Sequence, residues 1–282
     1  MEVKKYVVAI DFGISHFKFG YTYIGDQMNE VYGLDKRKCK IDSTILLLRD
    51  KKGLQTDFND GVRLIKCVGF GSEAEEKYNN SYQIDLELSN SESEEKEEIE
   101  ESEESEESKE KEEQEENEGE NESKVYPYNR LELFRFYKMR ISQKKSTCIS
   151  EKGNHFLIHQ VLSFALRYVS ELEIKQICKH VLHKNFSMKH IFWVLTRPAF
   201  WKEETKHFMR KCAKKAGIID KTDSKSLVVI TEPEAAAIEY IFVNTSRGIE
   251  TKKEKILIFE AKSFMINLTL VQITVLENQT RV

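Results

Sequence analysis

At 282 residues the chain is long enough for one large domain or two modest ones, and for a sizeable core. No apolar run approaches the roughly 20 residues of a bilayer span, and Met1–Lys5 runs straight into a strand-like segment with no apolar signal-peptide core. Five scattered cysteines with no C-x-x-C pair read as reduced thiols in a cytoplasmic or nuclear setting, not as a disulfide framework.

The net charge of −4 hides an asymmetry. Residues 91–123 hold nineteen Glu and three Lys, a local charge of −16, so the other 249 residues sum to +12. A Glu/Ser/Asn/Lys tract with Ile99 as its sole apolar residue cannot bury enough surface to offset its ordering entropy. Residues 89–123 therefore read as an acidic insertion, disordered or transiently helical and extended by self-repulsion. It is expected to contact basic partners or to fold back on the basic body.

Taken in chain order, residues 5–12 form an apolar, β-branched strand and 17–24 return antiparallel after a turn near Gly13. Ser43–Arg49 is a third strand, and 64–70 a fourth extended piece leading to Gly69 and Gly71. After the insertion, Asn154–His183 carries Leu157, Val161, Phe164, Ala165, Tyr168, Leu172 and Ile177 at helical steps. Ile191–Thr196 is a strand. Lys202–Ala216 is a helix closed by Gly217 as a left-handed cap. Ser226–Thr231 is a strand, and Glu232-Pro233 opens a helix to about Phe242 with Pro at its first position. Lys255–Glu260 and Met265–Val275 form a closing hairpin. Three antiparallel strands followed by αβαβα units describe an α/β fold with a mixed five-strand sheet and flanking helices. The divisions are 1–88, the insertion 89–123, the rest of the lobe 124–245, and a hairpin without a sheet of its own in 246–282.

A carboxylate ending a buried strand with glycine two residues on, as in Asp11-Phe12-Gly13, suits a hairpin whose amides face phosphate while the acid holds hydrated Mg²⁺. Taken alone, such a pair most often just makes a turn. Other candidates are thinner. His155/His159 and His180/His183 have helical metal-ligand spacing, but no cysteine or carboxylate cluster completes a site. Lys202, Lys206, Arg210, Lys211, Lys214 and Lys215 make one helix strongly basic, which reads first as a solvated face.

Several ordered segments together resemble one family. Trp193-Val194-Leu195-Thr196-Arg197-Pro198-Ala199-Phe200-Trp201-Lys202, then Phe208-Met209-Arg210 and Ala216-Gly217, resemble its V-x-x-P-A-x-W-K…F-M-R…A-G stretch. Glu232-Pro233-Glu234-Ala235-Ala236 resembles its E-P-E-A-A helix start, and Phe134–Met139 its F-x-x-F-K-M segment. Thr44–Leu47 and Phe70-Gly71 fall where it has T-x-I-L-L and F-G. This is the heat shock protein 70 family, in its divergent member 12 subgroup. The resemblance implies the first lobe of an actin-like (ribonuclease H-like) ATPase with the opening hairpin of a second, binding ATP or ADP with Mg²⁺.

By that resemblance Asp11 would orient the metal, and Gly13, Ile14 and Ser15 would form the first phosphate loop. Lys138 would contact the γ-phosphate and attacking water, and Glu232 would reach the metal through water. Pro198 and Lys206 would relay nucleotide state to an interdomain surface. The family's second phosphate loop, Asp-x-Gly-Gly-Gly-Thr-x-Asp, aligns with Phe259–Thr269. There all three glycines are gone, Glu260 keeps a carboxylate, Lys262 supplies a charge and Asn267 replaces the second aspartate. Without glycine the close backbone approach to phosphate is hard to reproduce. The implied function is a chaperone-like ATP-binding fragment with nucleotide binding weak or lost and at most residual ATPase activity, meeting protein clients or co-chaperones. The alternative is a non-catalytic pseudo-ATPase scaffold acting through its basic face and acidic tract. Neither reading includes specific nucleic-acid binding.

Overall fold

The computed structural model describes residues 6–13, 16–24, 40–49, 64–97, 126–143, 145–180, 188–248, 255–262 and 265–273. Strand β1 (Tyr6–Phe12) is built on alternation: Tyr6, Val8, Ile10 and Phe12 are buried on one face, while Ala9 and Asp11 lie on the other. It pairs antiparallel with β2 (His16–Tyr23), from Tyr6↔Tyr23 to Phe12↔Phe17. The short β3 (Lys40–Asp42) extends that edge. On its other side β1 runs parallel to β9 (Ile191–Arg197), and β9 to β10 (Leu227–Thr231). The order β10-β9-β1-β2-β3 is the expected mixed five-strand sheet.

The third strand of that sheet is not the expected Ser43–Arg49. Buried Ser43 and Thr44 break the run, and β4 (Ile45–Arg49) leaves for a separate three-stranded sheet between β5 (Leu64–Phe70) and β6 (Leu131–Phe134). The Thr44 carbonyl accepts the Gly71 amide at 2.8 Å, tying the bend to the end of β5. Gly71 sits there at φ 64°, with Ile41 so close that an added Cβ would approach it to 2.9 Å. A second small core forms on this sheet from Leu46, Leu48, Val68, Ala74, Leu131 and Leu133.

Helix α1 (Ser72–Glu97) follows β5 and was not foreseen. Its first turns pack on the body through buried Ala74 and Ser81 and through Tyr78 and Tyr82, whose rings lie 5.2 and 5.0 Å from that of Tyr128. Beyond them it has no apolar stripe to reveal it. It continues through residues 89–97, so the expected boundary at 88/89 falls inside a helix; the remainder of the insertion lies outside the described residues. The single turn α2 (Met139–Ser142) leads to the hairpin β7 (Thr147–Ile149) and β8 (His155–Leu157). The long helix α3 (Ile158–His180) thus starts four residues later than its periodicity suggests, because Asn154–Leu157 is extended. There Glu132, fully buried, accepts from Ser150 Oγ at 2.6 Å and Asn154 Nδ2 at 2.9 Å.

Helix α4 (Glu203–Ala216) packs beside α3 and ends on Gly217 at φ 82°, the left-handed cap expected. Arg167 of α3 donates to its final carbonyls at Lys215 and Ala216. Helix α5 (Glu232–Ser246) opens with a capping box: Thr231 Oγ1 accepts from the Glu234 amide, and the Glu234 carboxylate accepts from the Thr231 amide. Pro233 therefore stands at the second helical position. The large core lies between the five-strand sheet and α3 and α4, centred on Val8, Ile10, Leu166, Trp193 and Leu195. Strands β11 (Lys255–Lys262) and β12 (Met265–Gln272) form a sheet of two, with Leu257, Phe259, Leu268 and Leu270 each more than 60% exposed on one face. No helix among the described residues is long and apolar enough to cross a membrane.

Candidate nucleotide site

Asp11 and Gly13 of the first hairpin, Lys138 before α2 and Glu232 at the start of α5 converge from three separate segments. Asp11 lies at the end of β1, and its Oδ1 accepts from Thr196 Oγ1 at 2.6 Å. The same hydroxyl accepts from the Phe12 amide at 3.1 Å. Thr196 is one step past the last parallel pair of β1 with β9, Ile10↔Leu195, which sets it beside Asp11. This orienting residue was not foreseen; its only sequence signal is a hydroxyl at the end of a neighbouring parallel strand. Thr196→Val keeps the shape but removes both hydrogen bonds, so a loss of about 1–2 kcal/mol is expected. Urea unfolding with an unchanged circular dichroism spectrum would measure it.

Gly13 is required by space. A Cβ there would come to 2.5 Å from the His16 carbonyl oxygen across the hairpin. Ile14 and Ser15, the rest of the expected loop, lie outside the described residues.

Lys138 is fully buried. Its Nζ donates to the Gly13 carbonyl and stands 4.0 Å from the Phe12 ring centroid and 3.5 Å from that of Phe17. Cation–π attraction and one carbonyl replace its lost water. Burial pushes the ammonium well below the usual lysine value, while the negative charges of Asp11 and Glu232 oppose that shift. Glu232, buried at the first position of α5, also has the helix N-terminus favouring its charge. Two residues before Lys138, Phe136 holds φ 49°, a left-handed conformation costly for a bulky side chain. The lysine segment is thus set by its surroundings, not by local preference.

Pro198 is buried at the end of β9. Lys206 pairs with Glu203 at 3.2 Å, and Glu203 in turn takes Arg197 at 2.8 Å. Glu260 faces Asn267 across the closing hairpin, where pairing runs without a shift from Lys255↔Gln272 to Lys262↔Met265. The backbone groups of Lys262 and Met265 are thereby committed to the strand pair, and the two connecting residues are outside the described set. Among the described residues no group of three or more His, Cys, Asp or Glu could hold a metal ion; His183 of the second pair lies outside the described residues.

A mixed sheet in the order β10-β9-β1-β2-β3, its first hairpin carrying an aspartate, defines the first lobe of an actin-like, ribonuclease H-like fold. Over part of its length the chain is related to two human proteins. It is 35% identical to Heat shock 70 kDa protein 12A of Homo sapiens over 118 residues, 42% of this chain and 17% of that protein. It is 30% identical to human Heat shock 70 kDa protein 12B over 112 residues, 37% of this chain and 16% of that one. The mouse 12A protein is 35% identical over 79 residues. The chain matches less than a fifth of the length of these curated relatives. No family model matches it. Among solved structures, a non-polymerising mutant of MamK bound to AMPPNP superposes over 97% of this chain and 56% of its own, with TM-score 0.34 and 11% identity. A superposition that loose transfers neither geometry nor chemistry.

Proposed function

We propose that the chain is a nucleotide-binding lobe of the heat shock protein 70 member 12 kind, chaperone-like in role, whose hold on ATP or ADP with Mg²⁺ is weakened. The observation that carries this reading is Lys138, buried with the charges of Asp11 and Glu232 acting on it beside the Gly13 carbonyl. Asp11 and Glu232 are the residues that would hold hydrated Mg²⁺, since two carboxylates and water oxygens suit a hard divalent ion. When bound, that ion would neutralise phosphate charge. Lys138 would move from the Gly13 carbonyl towards the phosphate, and Thr196 would keep Asp11 oriented.

Weak binding follows from the closing hairpin. Continuous pairing through Lys262↔Met265 leaves its described backbone little freedom to cradle phosphate, and glycine is absent there. Any ATPase activity is accordingly residual. Protein clients or co-chaperones in the cytoplasm or nucleus are the partners this reading implies. The same hairpin favours the alternative, a non-catalytic scaffold acting through its basic face and acidic tract.

Titration of the full chain with labelled ATP and Mg²⁺ separates the two. Saturable, metal-dependent binding that weakens at least about tenfold in Lys138→Ala supports the lobe, in line with loss of a charge-assisted contact. A flat titration of the unmodified chain leaves the scaffold. Because burial lowers the free lysine's pKa, a phosphate neighbour raises it again, so binding takes up a proton and tightens as pH falls.

A further inference from the structure

A groove of about 590 Å³, lined by none of Asp11, Gly13, Lys138 and Glu232, opens where the start of α3 meets the connection from β9 to α4. Its walls are apolar: Ile141, Leu157, Ile158, Phe200, Trp201 and Phe208. Leu157 and Phe200 remain 41% and 45% exposed at its lip. This size and aromatic lining, with Lys145, Ser146, His159, Lys202, Glu204 and Thr205 completing the wall, are those of a small-molecule site.

The polar rim selects the charge of the occupant. Lys145 and Lys202 stand exposed at the groove, and neither side chain forms an ion pair or hydrogen bond among the described residues. Glu204 is the one acid on the rim. Burial, helped by the Lys215 charge, holds the His159 imidazole below its usual value, so it is neutral near pH 7 and adds no charge. The rim therefore carries a net single positive charge above an apolar body of space.

We propose that this groove binds a small amphipathic carboxylate, an acyl or aryl chain lying along Leu157, Phe200 and Phe208 with its carboxylate between Lys145 and Lys202. An apolar body removes Leu157 and Phe200 from water, and the head group meets two ammoniums that have no ion-pair partner among the described residues. The reading is independent of the phosphate site, and binding is measured without nucleotide.

Trp201 supplies the signal. It forms part of the wall, and its ring lies edge-on to Phe12 at 6.5 Å between centroids. The only other tryptophan, Trp193, is fully buried within β9 and gives a constant background. Octanoate added to the full chain should shift tryptophan emission saturably, with one-to-one stoichiometry by calorimetry and a Kd on the order of 1 mM for ten heavy atoms. The double variant Lys145→Glu/Lys202→Glu, altered only at exposed positions, should weaken octanoate about tenfold or more while leaving 1-octanol unaffected. Octylammonium should bind the unmodified chain more weakly than octanoate. Phe200→Ala should weaken both octanoate and octanol. No saturable change up to about 10 mM, roughly ten times the expected Kd, would overturn the proposal. So would unchanged octanoate affinity in the double lysine variant, or octylammonium binding as well as octanoate.

Discussion

Glu173→Gln is expected to stabilise the protein, and to do so increasingly as pH rises. Glu173 is fully buried on α3, neither carboxyl oxygen has a hydrogen-bond partner among the described residues, and burial alone raises its pKa from 4.5 to about 8. The folded state therefore holds a proton that the unfolded state releases near the ordinary glutamate value. The sign follows: stability is fully present below about pH 4.5 and is lost as pH rises towards about 8, where the loss levels off. At pH 7 the loss amounts to roughly 3 kcal/mol, from 1.36 kcal/mol for each pH unit above the unfolded value. Glutamine keeps the shape of the protonated acid and removes the titration. Urea unfolding of both proteins at pH 5, 7 and 8.5 should show curves that nearly coincide at the lowest pH and diverge upward. A constant difference across the range would contradict the assignment. Glu132 is the contrast within the same molecule: equally buried, it accepts from Ser150 and Asn154 and lies 3.6 Å from Arg49 Nε.

Phe17→Ala should be among the most damaging single changes. Phe17 is fully buried, meets Phe12 edge-on at 4.8 Å and Phe70 at 5.3 Å, and lies 3.5 Å beneath the Lys138 ammonium. Truncating a buried phenylalanine costs about 3–5 kcal/mol. Here a buried cation also loses one of the two faces that stand in for its water. Phe17→Leu restores most of the volume but not the ring. It should recover the larger part of the unfolding free energy and, if the proposed nucleotide site is correct, leave ATP binding as weak as in Phe17→Ala. Recovery of both by leucine would mean that the ring contributes only its volume.

The five-strand sheet was legible because its strands are hydrophobic in the right rhythm. Ile191–Arg197 and Leu227–Thr231 carry branched and aromatic residues bounded by Pro198 and by the Thr231 cap. Gly217 and the Glu232-Pro233 start fixed two helix ends through local backbone chemistry. Helix α1 was hidden because its stability comes from features with no apolar period: a short buried patch and pairs such as Lys77 with Glu73 at 2.7 Å. The transfer of Ile45–Arg49 to a second sheet depends on a bend at Ser43 and Thr44 that a continuous apolar run conceals. Within the site, Asp11, Gly13, Lys138 and Glu232 were legible only as a set, through resemblance, since each alone has an ordinary structural explanation. Thr196 was missed because its role depends on strand register, which no local pattern encodes.

The pairing of β1 on both sides carries a consequence for the growing chain on the ribosome. One partner, β2, follows at once, but the Phe12 amide and its acceptor Thr196 lie 184 residues apart. At about 5–20 residues per second, the first hairpin waits roughly 10–40 s for β9 to be synthesised. Throughout that interval the edge of β1 that β9 will occupy offers its open backbone groups to any extended peptide nearby. Chaperone capture of the nascent chain would accordingly fall mainly between synthesis of the first hairpin and the emergence of Thr196.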